Sequence, residues 1–108
     1  MPSTKLMPSG LVVTTGDRAT LVAIVDALAP TFPEPGPRLF GERDGRWRRM
    51  LLIPSQWCVR ECGPVAPDVL EAAALAYAMG ATEVSAMSFE MTVRPLRRLV
   101  SVSCSDPR

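Results

Sequence analysis

There is no histidine in this chain, and the residue types weighed for chemistry are its three cysteines, its eleven acidic residues and its arginines. Without an imidazole the chain lacks the side chain that most often serves as general base and as metal ligand. Serine–histidine and cysteine–histidine catalysis are therefore closed to it. The cysteines are Cys58, Cys62 and Cys104. On a strand, Cys58 and Cys62 would point to the same side about 13 Å apart, out of disulfide reach. An odd number of cysteines fits a reducing compartment, where such residues are most often small apolar filling. A zinc site would have to be assembled from these scattered cysteines and from carboxylates, without the close cysteine pairs that mark such sites. No catalytic residue, metal or cofactor is assigned. The enzyme reading is a small enzyme, or a cofactor-assisted one, with Cys58, Cys62 or Cys104 as its nucleophile.

Phosphate-cradling patterns are missing as well. Gly10 and Gly16 flank an apolar run rather than a loop, and Asp17 stands where a P-loop would carry lysine. Gly63 is alone, so neither the P-loop nor the dinucleotide fingerprint is formed. Glu61, Glu83 and Glu90 are single carboxylates whose spacing predicts no shared site.

Charge is segregated along the chain, although its net value is only +1. From Arg38 to Arg49 there are five arginines against Glu42 and Asp44. Met91 to Ser105 carries three arginines and no acid, whereas Glu61 to Glu90 carries five acids and no base. Two arginine doublets stand out, Arg48-Arg49 beside Trp47, and Arg97-Arg98. Guanidinium groups bind carboxylate or phosphate through paired hydrogen bonds, and an adjacent tryptophan can anchor an interface. The plainer reading is a solvated strand face that discourages edge pairing, with Trp47 in the core. Met79, Met87 and Met91 add a pointer to a subunit or partner interface, although methionine is also common core filling.

The elements that must hold these groups are legible from periodicity. Leu11 to Thr15 reads as a strand ended by Gly16, and Asp17 as the cap of a helix whose apolar face is Leu21, Ile24, Val25 and Leu28. Pro30 stops that helix, and Pro33, Pro35 and Pro37 stiffen the connection that follows. Asp44-Gly45 is a favoured two-residue hairpin turn between Leu39–Arg43 and Arg46–Ile53. Trp57 to Cys62 reads as a further strand. Pro67 opens an alanine-rich helix that Gly80 closes. Strands Glu83–Glu90 and Arg97–Cys104 complete the order, joined by a turn at Arg94-Pro95.

Strand, helix, strand, strand thus occurs twice, which predicts an α+β fold made of tandem βαββ units at 11–54 and 57–104 within a single domain, 1–108. The halves would be related by an approximate twofold axis, their strands forming a mainly antiparallel sheet with both helices on one face. The twofold would bring Arg48-Arg49 and Arg97-Arg98 to equivalent positions.

At 108 residues, 47% of them apolar, the chain can bury a core. It holds no apolar run of the length needed to cross a membrane and opens with no signal-like stretch, so the expected location is the cytoplasm. The expected role is a small non-enzymatic binding protein that occupies a partner protein's surface, as an immunity protein or phage anti-defence inhibitor does. Its interface would use Trp47, Arg48, Arg49, Arg97 and Arg98, and a homodimer is compatible with it. The alternatives are a nucleic-acid-binding module built on the same arginines, and a small cysteine-dependent or cofactor-assisted enzyme.

Overall fold

The computed structural model describes residues 9–55, 57, 64–88 and 92–97. Its elements run β1 (Ser9–Thr15), α1 (Arg18–Leu28), β2 (Gly41–Arg43), β3 (Arg46–Ile53), α2 (Pro67–Ala78), β4 (Glu83–Ser88) and β5 (Val93–Leu96). The five strands form one antiparallel sheet in the order β2-β3-β1-β4-β5, an α+β arrangement with β1 at its centre.

Strand alternation divides this sheet into two unlike faces. Leu11 and Val13 of β1, Leu51 and Ile53 of β3, Val84 and Ala86 of β4, and Leu96 of β5 share one side and are buried. They form a single cluster with Leu21, Ile24 and Val25 of α1 and with Val69, Ala73 and Ala76 of α2. Both helices therefore cover that face. The alternate residues Val12, Met50, Leu52 and Met87 point the other way, and none belongs to the core cluster.

Local chemistry explains the helix boundaries. The Asp17 carboxylate accepts from the Thr20 amide at 3.0 Å and from the Thr20 hydroxyl at 2.7 Å, capping α1. These bonds, the hydroxyl's first, hold the Asp17 carboxyl below its usual range. Pro67 opens α2, and Gly80, at φ +116°, lets the chain turn away after Ala78. Alanines 72, 73 and 76 are its buried residues with Val69, so the helix lies close to the sheet. Asp44 (φ 55°) and Gly45 (φ 78°) make the two-residue turn between β2 and β3, both in the left-handed region that this turn requires.

Helix followed by hairpin does occur twice, as α1–β2–β3 and α2–β4–β5. The expected strand at Trp57–Cys62 falls outside the described residues except for Trp57, which is not in a strand. Both edges of β1 are occupied, by β3 and β4. The turn expected at Arg94-Pro95 lies elsewhere: both residues are in β5, with Pro95 opposite Ser85. Proline is tolerated there because β5 is the outermost described strand, where one side needs no ladder donor. The connection instead falls after Ser88, whose amide donates to the Thr92 carbonyl at 2.9 Å. Arg97 follows β5 without strand structure, and 98–104 lie outside the described residues.

Candidate functional site on the open sheet face

The five residues expected to form one patch are placed separately. Trp47 and Arg49 lie on the helix-covered face, since they pair with Thr15 and Val13 of β1. Trp47 packs against the core. The Arg49 side chain is only 9% exposed and is held internally. It donates to Glu34 at 3.1 Å, to the Leu39 carbonyl at 3.0 Å and to the Pro37 carbonyl at 3.2 Å. Arg48, its neighbour in sequence, is exposed on the opposite face. Arg97 is exposed beyond β5, on the far side of the sheet from β3. Arg98 and all three cysteines lie outside the described residues, as does Met91.

Arg49 belongs to a network that fixes the proline-rich connection. Arg38 bridges Asp26 of α1 at 2.7 Å and Glu34 at 2.8 Å, while Glu34 also meets Arg49. The hydrogen bond from Arg38, more than the charges around it, holds the Glu34 carboxyl below the usual glutamate range. Glu34 and Asp26 in turn raise the Arg38 guanidinium above its ordinary value. Arg18 and Arg38 lie over the Phe40 ring at 5.3 and 5.7 Å from its centroid, within the range of cation–π attraction. Arg94 stands similarly over Trp57 at 5.8 Å.

Three arginines without such engagement gather at the other side of the same hairpin. Arg43 pairs directly with Arg46 across the Asp44-Gly45 turn, and Arg48 follows two residues along β3 on the same face. All three are exposed, and none has an ion pair or ring contact among the described residues. They line an open hollow of about 350 Å³ together with Asp44. Like charges directly opposite on neighbouring strands repel. The arrangement opposes folding and concentrates positive potential at one point.

Beside this cluster the open face becomes apolar. A groove of about 200 Å³ runs along β1, with Val12, Thr14 and Ser85 in its floor. Arg48 stands on one wall, and Glu83, Met87 and Val93 on the other. Val93 is 53% exposed. Gly10 continues the floor: a β-carbon there would sit 2.4 Å from the Met50 sulfur, so glycine lets Met50 lie flat across β1. No aromatic residue faces this side among the described strands.

Two signals for this site were available in the sequence. A two-residue turn at Asp44-Gly45 forces Arg43 and Arg46 to face one another, and adjacent strand residues such as Arg48 and Arg49 must diverge. Among the described residues no group of three or more acidic or cysteine side chains is placed to hold a metal ion, and no helix is long and apolar enough to cross a membrane. Comparison with family models, with curated proteins and with solved structures finds no match.

Proposed function

We propose that this chain is a small binding protein that works by occupying the surface of a partner protein, in the manner of an immunity or anti-defence factor. The observation that carries this reading is the cluster Arg43, Arg46 and Arg48, exposed on one face and without an ion pair among the described residues, while Arg38 and Arg49 of the same segment are both paired with Glu34. A like-charged cross-strand pair costs folding energy, and a ligand bearing carboxylates would offset it. The reading retains Arg48 from the doublets and adds Arg43 and Arg46. Trp47 and Arg49 serve the fold.

The tandem relationship of the two helix–hairpin halves belongs to the same proposal, as the origin of the fold rather than of the site. Phosphate would also suit three guanidinium groups, but single-stranded nucleic acid is ordinarily held by aromatic stacking beside the basic groove. The open face offers aliphatic and methionine side chains instead.

Arg43→Glu/Arg46→Glu is the decisive variant, because it reverses the cluster and keeps a like-charged pair across the turn. Affinity capture from host lysate should yield a discrete protein with the native chain and lose it with the variant, at an unchanged melting temperature. Equal capture by both chains overturns the reading. A labelled oligonucleotide titrated at low salt gives the competing outcome: binding that falls steeply with added salt would transfer the cluster to nucleic acid.

A further inference from the structure

We infer that the open sheet face is covered by a second copy of this chain, packed face to face about a twofold axis that runs along β1. Thr14 pairs with Arg48 on one side and with Glu83 on the other, so these opposite charges straddle the central strand. Their backbones are about 10 Å apart at the usual strand spacing. No ion pair joins them within the chain. An axis parallel to β1 and midway between two such faces exchanges left and right while leaving height along the strand unchanged. It sets Arg48 of each copy over the second copy's Glu83, twice in one contact.

The next two rows fit the same operation. Val12 pairs with Met50 and with Ser85, and because Met50 lies over Gly10, Val12 of each copy meets its own equivalent on the axis beside the small Ser85. Gly10 pairs with Leu52 and with Met87, which brings those two apolar side chains together across the interface. Residues at equal distance on either side of β1 are thus complementary in charge in the first row and in apolar character in the third. An isologous contact requires that self-complementarity. Face-to-face sheets pack about 10 Å apart with their strands within about 30° of alignment, so the match holds for the rows nearest the axis. With β2 left outside, four strands about six residues long present a footprint of roughly 19 by 20 Å, or about 400 Å² a copy. The total, about 800 Å², is that of a small, transient interface, and weak self-association is expected.

This goes beyond partner capture and does not depend on it, because Arg43 and Arg46 lie nearer the turn and stay free in the dimer. Sedimentation velocity on the full chain at high concentration should give a species of twice the 11.7 kDa chain mass, dissociating on dilution. Arg48→Glu and Glu83→Arg should each weaken the dimer by at least roughly tenfold, through like charges facing across the axis. Both residues are exposed, so thermal melts of these variants should match the native chain. The combined variant R48E/E83R should restore the dimer, which a merely structural role for either residue would not produce. A monomer at every concentration, meaning that the chain's own residues or a different protein cover the face, would overturn the inference, and so would a double variant that stays dissociated. Either result leaves the Arg43 and Arg46 capture experiment to be judged separately.

Discussion

Glu34 answers two arginines at once, and its titration should be visible in the stability of the whole chain. Arg38 and Arg49 both donate to its carboxylate, and Arg49 does so from a side chain only 9% exposed. Because this carboxyl is held below its usual range in the folded state, its contribution is present in full above the unfolded value, about 4.3 for a glutamate. It is withdrawn as pH falls through the lower folded value. Glu34→Gln leaves Arg49 with a neutral acceptor in a buried setting, so the variant should be less stable near neutrality by about 1–3 kcal/mol. The gap between the two melting temperatures should then close as the pH is lowered into the acid range. A gap of constant width down to acid pH would mean that Glu34 acts through packing and not through charge. Such groups are easily misread from sequence: Arg49 looks like half of a surface doublet, yet strand alternation turns it inward and the proline-rich connection supplies its acceptors.

At the scale of elements, the Tyr77 hydroxyl adds a polar tie to the apolar packing of α2 on the sheet. Tyr77 donates to the Leu96 carbonyl at 2.7 Å and accepts from the Val84 amide at 2.9 Å, tying the helix to facing residues of β4 and β5. Few large side chains share the task, since three of the four buried residues of α2 are alanines. Tyr77→Phe keeps the ring and removes both bonds, which should cost about 1–3 kcal/mol through unsatisfied backbone groups. Loss of stability should be accompanied by faster amide exchange at Val84, and an unchanged melt would show that water replaces the hydroxyl at no cost. Both helices, the Asp17 cap, the Asp44-Gly45 turn and β1 were legible in the sequence, because each rests on local chemistry: a side-chain acceptor, a left-handed turn, a run of β-branched residues. β5 was not legible. Pro95 reads locally as a turn, and only its place at the outer side of the sheet makes a strand compatible with it. The candidate site was legible in part, since Arg48 was named while Arg43 and Arg46 were hidden by the search for doublets. Their adjacency is a property of the turn between them rather than of neighbouring positions.

For the molecule as a whole, one side of the sheet carries the core and the other carries the exposed arginine cluster, and stability should be graded accordingly. β1 lies between two partners, and six of its seven residues are buried. β2 has three residues, all exposed, and among the described residues it pairs only with β3. Amides bonded within a doubly flanked strand open only with global unfolding, whereas a short outer strand opens locally at little cost. Hydrogen exchange should therefore find Leu11 to Val13 among the slowest positions and Gly41 to Arg43 among the fastest of the sheet. That order has a functional consequence. The repulsion between Arg43 and Arg46 is lodged in the least protected strand pair, where it weakens the hairpin without reaching the core. An anionic partner that neutralises the pair should slow exchange at Gly41 to Arg43 and leave β1 unchanged. Protection of β2 equal to that of β1 in the free chain would contradict this grading, and with it the view that the hairpin can bear an uncompensated cluster because it is only loosely coupled to the rest.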